Sequence, residues 1–250
     1  MNKAVGIIPA RWSSTRFPGK PLHLIAGKPL LQRVWQRCRQ AKNLDSIIIA
    51  TDDMRIAEAA FDWGAEVALT SPRHQSGTDR VAEVLRNAKQ FAFVINIQGD
   101  EPLIDPYLID RLVEKLRSDR MIDIVTAAHS FENPAEASSP HQVKVVVDAS
   151  GRALYFSRAA IPFPRNLSKI KHLRHQGIYG FRRDALLQFV KWKRGPLERA
   201  ESLEQLRALE NGVNVHVLLT RHGTPGVDTP TDAEALERKL ARPKGRTRPR

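Results

Sequence analysis

The chain has 250 residues, with 40 lysines and arginines against 27 aspartates and glutamates, eight histidines and one cysteine. This length suits one large domain or two small ones, and it can bury a core without covalent cross-links. A single cysteine excludes an intrachain disulfide framework and a cysteine-rich zinc site. No apolar run approaches the ~18 residues of a membrane span, and the apolar stretch 4–8 is too short for a signal peptide. We therefore expect a soluble, cytoplasmic protein without a membrane partner.

The net charge of +13 is unevenly distributed along the chain. Residues 241–250, ARPKGRTRPR, carry five positive charges and no negative one, which leaves +8 on the other 240 residues. This segment has almost no apolar side chain to bury, so we predict one domain over residues 1–240 and a disordered basic tail over 241–250. The basic body suits an anionic ligand, and charge alone does not choose among a nucleotide, a sugar acid and a nucleic acid.

Strands and helices alternate through the first half of the chain. Short apolar runs predict strands, and apolar residues at helical spacing predict helices, in the order strand 4–8, helix from Pro29, strand 46–53, helix to about Trp63, strand 65–69, helix capped by Ser76, strand 91–97, helix around 108–116 and strand 122–128. This alternation predicts an α/β fold with a mixed, mostly parallel sheet that has helices on both faces.

The second half of the chain has a different pattern. Two apolar runs on either side of the turn Asp148–Gly151 predict a hairpin over 143–157, inserted into the α/β order. Two helices near 183–193 and 198–210, a strand at 213–219 and a last helix at 231–240 complete the prediction. No internal linker is visible, so we predict a single domain.

The loop Ala10–Lys20 follows the first predicted strand and contains three cations, three hydroxyls and a glycine. Loops that follow the strands of open α/β sheets are where ligands bind, and this combination of groups suits a polyphosphate. The loop lacks the glycine and Ser/Thr pattern of a Walker A loop, and no G-x-G-x-x-G motif occurs in the chain. The alternative interpretation is a solvated basic loop.

Two acidic sites occur far apart in the chain. Asp100 follows the most apolar predicted strand, in the motif Gln98–Pro102, and Gly99 allows the backbone to approach closely. Asp228 lies just before the last predicted helix, where Asp232 suits the role of a helix cap. Both carboxylates could hold one hard cation if their loops meet at one edge of the sheet.

Eight segments of the chain resemble the 3-deoxy-manno-octulosonate (Kdo) cytidylyltransferase family. The segments occur in the family's order over about residues 3–240, and they are IIPARWSSTRFPGKPL (7–22), SGTDR (76–80), NIQGDEP (96–102), QVKVVVD (142–148), ALYFSRAAIPFPR (153–165), HQGIYGFR (175–182), ESLEQLR (201–207) and GVDTPTD (226–232). Ala160 departs from the proline that is common in relatives. The resemblance implies a single-domain nucleotide-diphospho-sugar transferase-like (Rossmann-like) fold and a homodimer. It also implies formation of CMP-Kdo and pyrophosphate from CTP and Kdo, for lipopolysaccharide synthesis.

The resemblance also implies roles for individual residues. It places Asp100 and Asp228 on a catalytic Mg²⁺, with Lys20 as a third catalytic residue. For nucleotide binding it indicates Arg11, Ser14, Lys20, Ser76, Gly77 and Gln98. For the sugar acid it indicates Arg158, His175, Tyr179, Glu204 and Gln205, with Arg158 as the fork for the carboxylate.

Two other functions remain open at this point. A cytidylyltransferase for the 8-amino analogue of Kdo or for sialic acid would differ only in its sugar pocket. A basic nucleic-acid-binding protein would use the tail and show a steep salt dependence, but it would leave Asp100 and Asp228 without a role. We therefore expect no nucleic-acid partner.

Overall fold

The structure is a computed structural model that describes residues 2–13, 17–165 and 171–241. The strands within these ranges are β1 (Lys3–Ala10), β2 (Leu24–Ile25), β3 (Lys28–Pro29), β4 (Ser46–Thr51), β5 (Glu66–Leu69), β6 (Phe91–Asn96), β7 (Ile124–Ser130), β8 (Lys144–Val147), β9 (Ala153–Ser157), β10 (Leu173–Arg182) and β11 (Val215–Thr220). The α-helices are α1 (Leu30–Cys38), α2 (Met54–Asp62), α3 (Gly77–Asn87), α4 (Pro106–Ser118), α5 (Arg183–Phe189), α6 (Pro196–Glu201), α7 (Leu206–Glu210) and α8 (Pro230–Ala241).

One large sheet runs through the molecule in the order β11-β7-β10-β6-β1-β4-β5. All of these strands point the same way except β10, which is antiparallel to both β6 and β7. The predicted hairpin is present, because β8 pairs with β9 and continues the sheet from the start of β10. The predicted fold class, a mostly parallel α/β sheet with an inserted hairpin, is confirmed.

The sheet separates two apolar cores, and β1 shows how one strand supplies both. Ala4 and Ile8 face the core formed with α1, α2 and α4, whereas Val5 and Ile7 face the core formed with α3, α5 and α7. Successive residues of a strand point to opposite faces, so a central strand covered on both sides must be apolar throughout. Helices on both faces are confirmed.

The apolar stripes of the helices lie where their spacing predicted them. Cys38 is fully buried on the inner face of α1, and burial raises the pKa of its thiol. Ser76 caps α3 as predicted, because its hydroxyl accepts from the Asp79 N–H at 3.1 Å and the Asp79 carboxylate accepts from the Ser76 N–H at 3.2 Å. Such a reciprocal cap stabilises a helix by about 0.5–2 kcal/mol.

Several strand boundaries shift by one or two residues, and three predicted helices differ from the structure. The predicted helix 198–210 is two short helices, because Ser202 has a left-handed backbone, φ +51°, between α6 and α7. The helix predicted at 183–193 ends at Phe189, and the final helix starts at Pro230. The sequence analysis also missed β10, since two glycines interrupt its apolar pattern.

No helix in the described part of the chain is long and apolar enough to cross a membrane.

Candidate active site

Three parts of the chain meet at one edge of the sheet. β1 and β6 are parallel neighbours, so the loops that follow Ala10 and Asn96 leave the sheet side by side. Because β10 runs in the opposite direction, its first half lies at this same edge, with Tyr179 opposite Asn96. Ligands of open α/β sheets bind at this edge.

Lys20, Asp100 and Asp228 are brought together at this edge. The Lys20 Nζ lies 2.6 Å from Asp100 Oδ2 and 3.5 Å from Asp228 Oδ1. The side chain of Lys20 is 15% exposed, that of Asp100 is 30% exposed and that of Asp228 is 56% exposed. The cluster is therefore open to a ligand from solvent. Its centre is the Lys20 ammonium, which lies between the two carboxylates.

Backbone contacts hold the two carboxylate loops against each other. The Val227 N–H donates to the Asp100 carbonyl at 2.9 Å. A Cβ on Gly99 would lie 3.0 Å from the Pro9 carbonyl oxygen, so the loop after β6 packs closely on the end of β1. The predicted cap at Asp232 is corrected to Thr229, because α8 begins at Pro230 and the Thr229 hydroxyl accepts from the Asp232 N–H at 3.2 Å. The Asp232 carboxylate accepts the Asp228 and Thr229 N–H groups at 3.0 and 2.8 Å and so completes a reciprocal capping box.

Lys20 is held in place by the residues around it. Gly19 has a left-handed backbone, φ +69°, and its N–H donates to the Trp12 carbonyl at 3.2 Å. The Trp12 ring packs over Gly19, and the Arg55 guanidinium stacks on that ring at 3.6 Å from its centroid. Arg55 is in turn held by Asp53, the N-cap of α2. Lys20 therefore leaves the loop at a defined point.

Arg11, Ser76 and Gly77 lie together on the α3 side of this edge. Arg11 Nη1 donates to the Gln75 carbonyl at 3.5 Å, and a Cβ on Gly77 would lie 3.2 Å from Pro9. Arg11 Nη2 is buried without a hydrogen-bond acceptor among the described residues. Burial and the charge of Arg80 lower the pKa of Arg11. An anionic ligand would satisfy this guanidinium.

The first half of β10 contributes His175 and Tyr179. A bulge between Gln176 and Tyr179 shifts the register against β7. His175 Nε2 lies 2.9 Å from the Thr126 hydroxyl, and burial lowers its pKa to about 3, so the ring is neutral. The Tyr179 ring lies 5.3 Å from that of His175, and its buried hydroxyl has no hydrogen-bond partner among the described residues. Burial and the charge of Glu204 raise the pKa of Tyr179.

Glu204 and Gln205 lie at the kink between α6 and α7. Glu204 Oε2 accepts from the Thr78 hydroxyl at 2.5 Å, and Thr78 in turn accepts from Asn96 Nδ2 at 3.3 Å. Glu204, Gln205, Thr78 and Tyr179 border one small cavity. Thr78 and Asn96, which the sequence analysis did not single out, therefore connect α3 and β6 to the residues predicted to bind the sugar.

The Arg158 guanidinium donates most of its hydrogen bonds to backbone carbonyls of the protein. Its Nε donates to the Glu201 carbonyl at 2.7 Å, Nη1 to the Pro140 carbonyl at 3.0 Å and Nη2 to the Ser202 carbonyl at 3.4 Å. A guanidinium has five N–H groups, so one on Nη1 and one on Nη2 remain for a ligand. The predicted carboxylate fork is thus preoriented, and its contact with a sugar acid stays a prediction.

Gln98 and Glu101 attach the loop after β6 to its neighbours. Gln98 Nε2 donates to the Gly177 carbonyl in the β10 bulge at 3.1 Å. Glu101 Oε2 accepts from the Thr224 hydroxyl at 2.9 Å. Burial raises the pKa of Glu101 to about 7, the charge of Asp100 adds to this, and the Thr224 hydrogen bond opposes it. The sequence analysis quoted Glu101 within a motif but assigned it no role, and no pattern indicated Thr224.

Among the predicted site residues, Ser14 lies outside the described residues, as does most of the predicted tail. The described ones fall into three groups along the same edge, which are the Lys20 group with Asp100 and Asp228, the Arg11 group with Ser76 and Gly77, and the group of Gln98, Arg158, His175, Tyr179, Glu204 and Gln205. The roles assigned to these residues stay predictions.

Comparisons with known proteins show which family the chain is similar to. The family model of the cytidylyltransferases matches residues 5–216. A 3-deoxy-manno-octulosonate cytidylyltransferase of Fusobacterium nucleatum is 45% identical over 94% of this chain and 95% of its own length, and one of Solibacter usitatus is 50% identical over 94% of each chain. A solved structure of CMP:2-keto-3-deoxy-manno-octonic acid synthetase complexed with CTP superposes with a TM-score of 0.93 at 42% identity, covering 96% of this chain and 99% of that one.

Proposed function

The chain belongs to the cytidylyltransferase family, among the 3-deoxy-manno-octulosonate cytidylyltransferases, and from that premise we propose how it activates this sugar acid with CTP. The anomeric hydroxyl of Kdo attacks the α-phosphorus of CTP, the bond to the β-phosphate breaks, and CMP-Kdo and pyrophosphate form. The observation that carries the proposal is the convergence of Lys20, Asp100 and Asp228 at the sheet edge.

Most of the catalysis is positioning and charge neutralisation. Lys20 and Arg11 would bind the triphosphate, since Lys20 projects from the loop after β1 and Arg11 carries a buried nitrogen with no acceptor among the described residues. Ser76, Gly77 and Gln98 would line the cytosine and ribose side. Fixed cations at the phosphates stabilise the charge that collects on the leaving pyrophosphate.

The donor set at Asp100 and Asp228 fits Mg²⁺. No group of three or more His, Cys, Asp or Glu side chains that could hold a metal occurs in the described part of the chain. Mg²⁺ is usually held by one or two carboxylates together with phosphate oxygens and water, so two aspartates suffice when CTP is bound. The ion pairs of Lys20 Nζ with both carboxylates support the proposal that this point attracts a cation. Mg²⁺ bound there would neutralise charge on the α-phosphate and orient the attacking hydroxyl.

The sugar acid would occupy the side of the site formed by β10 and the kink between α6 and α7. Arg158 has two N–H groups left for a carboxylate, and neutral His175 with the buried Tyr179 hydroxyl offers polar atoms to the sugar. Glu204 and Gln205 complete this side. Kdo is favoured over its 8-amino analogue and sialic acid because the relatives at 45–50% identity carry the Kdo name.

Replacement of the two aspartates tests the metal site. We expect Asp100→Asn and Asp228→Asn each to lower kcat by about 10²-fold or more, because each change removes a preorganised charge. EDTA should abolish the activity of the parent enzyme, and Mg²⁺ should restore it, in an assay of pyrophosphate release. If either variant keeps a kcat near that of the parent at low Mg²⁺, that aspartate is not a metal ligand.

Replacement of Arg158 tests the sugar side. Arg158→Ala should raise KM for Kdo far more than KM for CTP, because it removes a charge-assisted contact with the sugar carboxylate. Glu201→Gln is a useful comparison, because the Glu201 carboxylate accepts from the Ser157 hydroxyl at 2.6 Å and from the backbone N–H of Arg158 at 2.9 Å. This variant therefore changes a neighbouring contact and keeps the guanidinium. A rise confined to KM for CTP would show that Arg158 serves the nucleotide.

The proposal also covers the nucleotide donor, the oligomeric state and the compartment of the enzyme. CTP should be used and ATP or GTP rejected, since a pocket that hydrogen-bonds a pyrimidine edge excludes purines. A panel of nucleotides and sugar acids, with pyrophosphate release as the readout, tests both substrates. We also propose a homodimer that acts in the cytoplasm, and sedimentation equilibrium tests the dimer.

A further inference from the structure

The segment 221–228, which we call the crossing segment, carries Asp228 from the edge of the sheet towards its centre. The segment begins after β11, which is an edge strand, whereas Asp228 lies beside Lys20 and its partner Asp100, which follows β6. β7 and β10 lie between β11 and β6, so the crossing spans three strand spacings, about 14 Å. A segment that crosses a sheet without its own secondary structure needs supports along its length.

The structure shows where the crossing segment is supported. Gly223 lies directly against the imidazole of His129, on the strand β7. The Thr224 hydroxyl then donates to Glu101 Oε2 at 2.9 Å. At the far end the Val227 N–H donates to the Asp100 carbonyl at 2.9 Å, and the Val227 side chain is buried. The Thr224 hydrogen bond is therefore the middle one of three contacts along the crossing segment, and it lies above β10.

Glu101 is itself held on the other side. Its N–H donates to the Gln98 carbonyl at 3.3 Å, and its carbonyl accepts from Ile104 at 3.0 Å, so its backbone belongs to a turn. Its Oε1 lies 3.9 Å from the Cβ position of Gly177, in the bulge of β10. The partly buried carboxylate thus connects the bulge, the turn that carries Asp100, and the segment that carries Asp228.

We propose that Glu101 and Thr224 form a positioning pair that holds the crossing segment above β10 and so sets the separation of the Asp100 and Asp228 carboxylates. In this proposal both residues act through the two aspartates and not on the substrates. The inference rests on the proposed metal role of the two aspartates. Groups that orient metal ligands affect affinity even though they do not bind the metal, typically by about 10–100-fold.

The test compares isosteric variants of Thr224. Thr224→Val keeps the shape and removes the hydroxyl, whereas Thr224→Ser keeps the hydroxyl. CTP is titrated calorimetrically into each enzyme at a series of Mn²⁺ concentrations, and steady-state rates are measured against Mg²⁺. We expect Thr224→Val to need about 10-fold more metal in both measurements and Thr224→Ser to match the parent. Thr231→Val is the matched control, because Thr231 is exposed on the first turn of α8 near Asp228.

Glu101 variants complete the test. Glu101→Gln retains an oxygen that can accept from Thr224 and should show a smaller loss of metal affinity than Glu101→Ala. Excess Mg²⁺ should recover most of the kcat of Thr224→Val, which a general loss of folding would not allow. The inference is overturned if Thr224→Val binds metal and CTP as the parent does, or if Thr224→Ser is as weak as Thr224→Val. Failure of the parent itself to show metal-dependent CTP binding would instead overturn the proposed metal site.

Discussion

At the scale of single residues, Gly19 decides where Lys20 points. The backbone of Gly19 has φ +69°, and a Cβ there would lie 3.2 Å from the Trp12 ring, which Arg55 covers on one face. A side chain at this position meets two penalties, because the left-handed conformation is strained for L-residues and the ring cannot move away from Arg55 without breaking that stack. The position of Lys20, 2.6 Å from Asp100, depends on both.

Gly19→Ala should therefore lower kcat/KM for CTP by about 10-fold or more, since a displacement of about 1 Å can cost as much as 10²-fold in rate. Gly64→Ala is the control, because Gly64 has φ +77° and open space around its Cβ position. Both variants should lose about 1 kcal/mol of stability from the backbone, and only Gly19→Ala should lose activity. Equal kinetics for the two variants would contradict a positioning role for Gly19.

At the scale of elements, the kink between α6 and α7 allows the site to form. Ser202 has φ +51°, and the carbonyls of Glu201 and Ser202 turn towards Arg158. A continuous helix over 198–210 would direct these carbonyls into its own hydrogen-bond ladder and leave the Arg158 guanidinium without them. The kink between α6 and α7 thus provides the carbonyls that orient Arg158 on the predicted sugar side of the site.

Ser202→Gly should raise the free energy of unfolding by about 0.5–1 kcal/mol, because glycine adopts a left-handed backbone without the steric cost that serine carries. Ser202→Val should lower it by about 1–2 kcal/mol, since a β-branched residue is least compatible with this conformation. Urea unfolding of the three proteins measures both effects. If Ser202→Gly is less stable than the parent, the side chain of Ser202 makes a contact that outweighs the cost of its left-handed backbone.

At the scale of the whole molecule, one reversed strand organises the site. β10 is antiparallel to both neighbours, and this brings His175 and Tyr179 to the edge at which β1 and β6 end. A parallel strand in this position would place the same residues at the opposite edge. The same burial that locates His175 makes the stability of the molecule depend on pH.

The pKa of His175 is about 3 in the folded protein, below the ordinary histidine value, because burial disfavours the charged ring. The unfolded chain takes up this proton near pH 6.5 and the folded chain does not, so the free energy of unfolding should fall as the pH decreases from about 6.5 towards 3. The slope from this group is at most about 1.4 kcal/mol per pH unit. Urea unfolding of the parent and His175→Gln across this range measures it, and identical slopes would contradict the prediction.

The sequence by itself determined the features that depend on neighbouring residues. The apolar run of β6, the reciprocal cap at Ser76 and the hairpin were all predicted, because periodicity and capping act over a few residues. The alternation of strands and helices indicated the fold class for the same reason. The motifs around Lys20, Asp100 and Asp228 also indicated the family resemblance.

Only the tertiary structure decided which of these residues meet. Lys20 lies 80 residues from Asp100 and 208 from Asp228 in the sequence, and they are in contact because of the strand order and the crossing segment. The place of β10 and the Glu101–Thr224 hydrogen bond likewise have no local signal, since pairing between distant segments depends on the packing of the whole sheet. Local chemistry selects the elements, and long-range packing determines which side chains share a site.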